Sequence, residues 1–290
     1  MNPSVFNDDG KILCNIRHTN YMLYHSELNK HNHEYGPLQY LHEEDNHALE
    51  TNNFICELNP ETYMVEGFTK VDMMTSEPEW NFTGLEDARL VRWDSGLVLT
   101  GVRRDTKPNG EGRIELTFLD SQYKEVYRQR IEPPKHSYCE KNWMPILDRP
   151  YRYIKWSSPT EVVTVYEGGQ AATVGEIQPS RIDNVRDLRG GSHAIPYEDG
   201  YLAIVHECAL YKNQLQQKDA TYLHRFVYFN KDFKLTKWSR EFSFMGGQIE
   251  FCCGMAQHGD NLLISYGFQD NAAFLLSMPV THVKDWLYYD

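Results

Sequence analysis

No apolar stretch in this chain of 290 residues approaches the roughly 20 needed to cross a bilayer as a helix. The mean hydropathy of -0.61 agrees, so the sequence carries no membrane-span signal. Met1-Asn2-Pro3-Ser4 has no basic segment followed by an apolar one; no signal peptide is read there, and a cytoplasmic location is expected. Cations are in deficit: 29 Lys and Arg face 41 Asp and Glu, for a formal net charge of -12. That balance argues against a general nucleic-acid binder, whose affinity rests on neutralising phosphates. It also makes any cluster of cations a local feature with its own meaning. The six cysteines (Cys14, Cys56, Cys139, Cys208, Cys252, Cys253) never fall into CxxC spacing and mostly sit within apolar strand patterns. Reduced, buried thiols are expected, and no metal site. Coiled-coil, low-complexity and Gly-rich phosphate-loop patterns are missing too.

What the chain does contain is a repeated hairpin. Its clearest copy runs from the acid pair Glu86-Asp87 through Leu90-Val91, turns at Asp94-Ser95-Gly96, and returns through Leu97-Val98-Leu99-Thr100 to Arg103-Arg104. The acids open the first strand and the arginines close the second, so pairing brings both to one end. Further copies start at Glu140, Gly190 and Ile249, and a weaker one opens the chain at Val5-Phe6. The steps between the four strong copies are 54, 50 and 59 residues, and five copies in 290 residues average 58. Repeats of several strands at this spacing predict an all-β fold, a single five-bladed β-propeller over residues 1–290, with an all-β sandwich as the competing architecture.

Between the first copies, residues 22–52 are polar and histidine-rich (His25, His31, His33, His42, His47) and read as an insertion or lid; the histidine spacing matches no metal-ligand pattern. Asn213 to Tyr222 is polar with modest helical character, suggesting an excursion over the site. His282 to Leu287 predicts a short helix sealing the last blade.

In a propeller the innermost strands lead to one mouth of the central channel, so equivalent hairpin ends converge there. Those ends collect Arg17, Asp87, Arg103, Arg104, Lys141, His206, Glu250 and Asp270. Each alone has a structural explanation, such as Glu86-Asp87 pairing with Arg89 and Arg92. Jointly they predict a site.

The residues at these ends are similar to a known family. Glu86-Asp87-Ala88-Arg89 resembles the Glu-Asp-Pro-Arg signature of glycoside hydrolase family 130, the β-mannoside phosphorylases and related mannosidases, with Ala88 in place of the usual proline. The resemblance extends to Glu140-Lys141-Asn142-Trp143-Met144-Pro145, Val205-His206-Glu207 and Tyr266-Gly267-Phe268-Gln269-Asp270. It implies a five-bladed propeller in which Asp87 is the general acid, protonating the glycosidic oxygen through a sugar hydroxyl. It further implies that Arg103 or Arg104, Lys141 and His206 bind phosphate and that Asp270 lies near sugar or phosphate. Arg17, Glu250 and Tyr266 complete the expected substrate contacts. Family 130 has relatives acting as β-1,2-mannosyltransferases, so the resemblance leaves the reaction open.

The chemistry is coherent on its own terms. An inverting hydrolase needs one acid and a second carboxylate to activate water. A phosphorylase needs the acid and cations that hold its anionic nucleophile. One acid beside Arg, Lys and His fits the second description, with Glu250 or Asp270 keeping hydrolysis open as base. The expected substrate is an oligosaccharide or sugar phosphate, with inorganic phosphate as co-substrate and no other cofactor. Competing readings are a mannosyltransferase using a sugar nucleotide or mannose 1-phosphate, and a non-catalytic glycan-binding propeller.

Overall fold

The computed structural model describes residues 1–23, 38, 40–43, 45–94, 96–182 and 188–289. His25, His31 and His33 of the expected insertion lie outside these residues. Among the described residues the regular secondary structure is almost entirely strand, arranged as five sheets in a ring: a five-bladed β-propeller.

The first blade is the meander β1 (Asn2–Asp8), β2 (Lys11–Thr19), β3 (Leu49–Leu58) and β4 (Val65–Lys70), with the short β5 (Phe82–Thr83) pairing parallel to β3. The second is β6 (Leu85–Trp93), β7 (Gly96–Arg103), β8 (Arg113–Leu119) and β9 (Glu125–Arg130). The third holds β10 (Met144–Pro145), β11 (Arg152–Ser157), β12 (Thr160–Val165) and β13 (Ala171–Thr173). The fourth holds β14 (Arg189–Gly190), β15 (Ile195–Tyr197), β16 (Gly200–Lys212), β17 (Lys218–Phe229) and β18 (Leu235–Trp238). The fifth has β19 (Glu250–His258), β20 (Asn261–Phe268) and β21 (Ala272–Pro279). After the helix α1 (His282–Trp286), β22 (Tyr288–Tyr289) returns to pair with β18 on the rim of blade four.

Burial falls from the axis to the rim, which explains the composition of each strand. Inner strands covered on both faces read as continuous apolar runs, as in Leu97-Val98-Leu99 of β7. The rim strand β4 is exposed along nearly its whole length and carries Glu66 and Lys70. Neighbouring blades are held by separate apolar cores. Phe6, Leu13 and Ile55 of blade one pack with Leu85, Leu90 and Leu99 of blade two. Val91 and Trp93 meet Trp143 and Tyr153; Met144 and Ile154 meet Val205 and Val227; Ile204 and Phe226 meet Met255 and Ile264. Val5 and Ile12 with Ala256 and Leu263 close the ring between blades five and one. A further apolar cluster at the mouth joins Tyr21, Leu23, Leu38 and Tyr40 to Phe82 and Ile249.

Asn213 to Tyr222 is not helical. It is the turn and return strand of the longest hairpin, in which Tyr211 pairs with Asp219 and Cys208 with Tyr222. The Asn213 side chain accepts hydrogen bonds from the backbone N–H groups of Leu215 and Gln217 and closes that turn. The ladder, together with this local capping, overrides the weak helical preference of the polar residues.

Candidate active site

The site begins with an irregularity in β6. Glu86 pairs with Val102 and Arg89 with Thr100, so Asp87 and Ala88 stand opposite the single residue Gly101. This is a β-bulge, which re-aims side chains at the expense of the ladder. Asp87 takes a left-handed backbone, φ 47°, and Gly101 is required because a Cβ there would collide with the Glu86 carbonyl and with Ala88. Regular alternation would send Glu86 and Asp87 to opposite faces. The bulge lets both line one cavity at the propeller mouth.

That cavity also takes Arg17, Arg104, Lys141, His206 and Asp270 from different blades, together with Asn2, Tyr21, Tyr40, Tyr222 and Phe251. Asn142 and Asp270, like Asp87, have positive φ, 61° and 53°. Three strained non-glycine residues facing one cavity fit the clustering of such strain at functional sites.

Arg17 anchors the acidic side. Its Nη1 lies 2.9 Å from Asp87 Oδ1 and 3.7 Å from Asp270 Oδ1. The Asn2 side-chain amide donates to the same two oxygens, at 2.8 and 3.0 Å. Arg17 is itself held by the Thr51 and Tyr21 hydroxyls. Burial works to raise the Asp87 pKa, but Arg17 and the Asn2 amide outweigh it and hold the carboxyl below the usual aspartate range. Glu86 is pushed the other way: burial raises its pKa, and no donor among the described residues hydrogen-bonds its carboxyl. Two adjacent carboxyls are thus driven apart, Asp87 giving up its proton more readily than Glu86.

The cations stand on the other side. Arg104 donates to the Gly110 carbonyl at 2.9 Å and lies over the Phe82 ring at 4.8 Å, with no carboxylate partner among the described residues. Lys141 is exposed and makes no ion pair with them. His206 is buried, stacked on Tyr222 with ring centroids 5.1 Å apart, and its Nδ1 lacks a partner among the described residues. Burial first, then the charges of nearby groups such as Lys141, drive its pKa well below the ordinary histidine value, so the imidazole is neutral.

Six of the nine residues named from the sequence therefore share this cavity: Arg17, Asp87, Arg104, Lys141, His206 and Asp270. Three do not line it. Arg103 points into blade two, where its Nε lies 2.6 Å from Glu115 and its Nη1 3.4 Å from Asp105. Strand alternation allows only one of two successive arginines to face the mouth. Glu250 is fully buried, with its carboxylate accepting the backbone N–H groups of Phe244, Met245 and Gly247. Tyr266 is buried in the wall of blade five, stacked on Phe244 at 4.1 Å. Glu86, Asn2 and Asn142 are among the polar residues that hairpin-end reasoning missed. The signal for Glu86 was its place beside Asp87 at a bulge opposite glycine; Asn2 had none.

No family model matches this sequence, and no curated protein does either. Solved structures do match. The β-1,2-mannobiose phosphorylase of Listeria innocua, in complex with β-1,2-mannobiose, superposes with a TM-score of 0.58 at 13% identity, over 97% of this chain and 90% of that one. A structure described under the glycoside hydrolase family 130 of mannoside phosphorylases, which contains hydrolases of β-1,2 mannosidic linkages in Candida mannan, gives 0.58 at 13%, over 96% and 84%. The β-xylosidase RS223 gives 0.56 at 12%, over 96% and 90%. At such identities the likeness speaks to architecture. The chain has the five-bladed propeller fold of glycoside-processing enzymes, among them mannoside phosphorylases of glycoside hydrolase family 130.

Proposed function

We propose that this protein is an inverting β-mannoside phosphorylase, transferring a mannosyl group between a β-mannoside and inorganic phosphate. The observation that carries the reading is the pairing, in one cavity, of Asp87 with Arg104 and Lys141, two cations that no carboxylate neutralises among the described residues. In a protein of net charge -12, cations at the cavity mouth that no described carboxylate neutralises suit a bound anion. His206, neutral and lining the same cavity, adds a ring that can donate to or accept from phosphate.

In the cleavage direction a phosphate oxygen attacks the anomeric carbon from the face opposite the leaving group. The glycosidic C–O bond breaks, and the departing oxygen receives a proton from Asp87 by way of a sugar hydroxyl. The proton of the phosphate restores the acid. In the free protein Asp87 is held ionised, the form that takes up a proton when a mannoside is built from mannose 1-phosphate. For cleavage, the charge of bound phosphate works against that ionisation and favours proton uptake. Arg17 and Asn2 fix the carboxylate, and Asp270, held by the same pair, is placed to accept from sugar hydroxyls.

A second reading, hydrolysis, draws on Glu86. Its carboxyl faces the same cavity without a hydrogen-bond partner among the described residues and can orient a water molecule. Incubation with β-1,2-mannobiose, with and without phosphate, separates the two. Phosphorolysis gives mannose 1-phosphate of inverted configuration only when phosphate is present. Equal release of free mannose in phosphate-free buffer would overturn it in favour of hydrolysis.

A further inference from the structure

A second cavity shares Lys141 and Asn142 with the first and is roomier, about 320 Å³ against about 110 Å³. Its polar lining is predominantly cationic. Among the described residues that line it, Lys135, Lys141, Lys155 and Arg189 face one acid, Glu140. Lys155 is engaged, 3.6 Å from both Glu140 and Glu161. Glu140 is occupied further by the Ser137 hydroxyl and the Trp143 indole N–H, at 2.7 and 2.9 Å. The lining acid is therefore already consumed by fixed partners. Lys135 and Lys141 are exposed and make no ion pair with the described residues. Lys135 follows Pro133-Pro134, which stiffen the backbone that carries it. Trp156, 41% exposed, contributes an aromatic ring to the same wall.

An aromatic ring beside Lys135 and Lys141, which pair with no acid among the described residues, is suited to a sugar bearing a negative charge. The apolar face of the pyranose lies on the indole, and the anionic group meets the amines. We infer that the second cavity is a subsite for an acceptor or leaving-group sugar carrying a phosphate ester or a carboxylate. Its identity as the acceptor position rests on the reading of the first cavity as the mannosyl-transfer site. The shared Lys141-Asn142 segment, with Asn142 at φ 61°, forms the wall between the two. No bond is made or broken in the second cavity; it selects the partner.

Titration calorimetry with glucose, glucose 6-phosphate, glucuronate and inorganic phosphate tests this on the whole protein. At least one charged sugar should bind roughly tenfold or more tightly than glucose, and which one does so identifies the charged group. Lys135→Glu, which changes an exposed residue of the second cavity alone, should remove that advantage, and Lys135→Ala should remove part of it. Both variants should keep the wild-type melting temperature, because Lys135 is exposed and makes no ion pair with the described residues. Equal binding of glucose and both charged sugars overturns the inference. So does an advantage that survives Lys135→Glu, or a loss of inorganic phosphate binding in that variant as large as the loss for the sugar. A wild-type protein that fails to turn over mannobiose, yet binds charged sugars in a Lys135-dependent way, would refute the proposed reaction and leave the anionic subsite standing.

Discussion

Arg17 Nη1 and Asp87 Oδ1 lie 2.9 Å apart in a buried ion pair that joins the second strand of blade one to the bulge of blade two. The pair sets two adjacent carboxyls apart. Asp87 receives the guanidinium and the Asn2 amide and is held ionised; Glu86, one residue earlier, receives no hydrogen bond among the described residues, and its pKa rises with burial.

Asp87→Asn tests the proton-transfer role. The amide keeps the shape and a carbonyl for Arg17, but it cannot shuttle a proton. Turnover should fall by roughly two to four orders of magnitude, the usual worth of general acid–base catalysis. Sugar binding, measured by calorimetry, should survive. Near-normal turnover would move the role to Glu86.

Glu86→Gln should show in stability as a function of pH. A carboxyl whose folded pKa is raised keeps its proton longer in the folded state, so wild-type stability falls as pH rises from the ordinary glutamate value, about 4.3, towards the folded value. Gln carries no such penalty. The variant should melt higher than wild type at neutral pH, and the difference should close below about pH 4. Parallel melting curves across the whole range would mean that Glu86 is not desolvated as described.

The ring was legible because each blade repeats a pattern that physics reads twice, once as alternation and once as turn chemistry. Asp94 with Gly96 and Glu198-Asp199-Gly200 mark turns, and the strands beside them point to the mouth. Hairpin-end reasoning therefore placed six residues in the cavity. It failed where local detail decides which way a side chain turns. Arg103 and Arg104 are indistinguishable by spacing, and the contact that claims Arg103 comes from Glu115, a residue across the ladder. Glu250 stands at a strand end but is enclosed by the backbone of 244–247, which only the folded loop reveals. Asn2 reaches the site because the N-terminal segment passes Gly267, where any Cβ would collide with its side chain and with the Met1 carbonyl.

The two arginines give opposite phenotypes. Arg104→Ala removes a cavity cation, so the apparent Michaelis constant for phosphate should rise roughly ten- to a hundredfold, as expected for one charge-assisted hydrogen bond, while the melting temperature changes little. Lys141→Ala should behave alike. Arg103→Ala strands Glu115 and Asp105 in the interior and should cost about 3 to 5 kcal/mol of stability, read from denaturant unfolding. A reversed pattern would return Arg103 to the anion.

The last prediction concerns any hydrolysis that persists without phosphate. Glu250 is saturated by three backbone donors and has no spare orientation towards the cavity, whereas Glu86 faces it with a carboxyl that nothing hydrogen-bonds among the described residues. Glu86→Gln should therefore abolish phosphate-independent release of mannose, leaving phosphate-dependent formation of mannose 1-phosphate largely in place. Glu250→Gln should instead lower the melting temperature, because its amide turns a donor towards N–H groups that need an acceptor. Its residual activity per folded molecule should keep the wild-type ratio of the two products. If Glu250→Gln folds normally and selectively loses hydrolysis, the carboxylate must leave its backbone nest during turnover. The loop at 244–247 would then belong to the catalytic machinery.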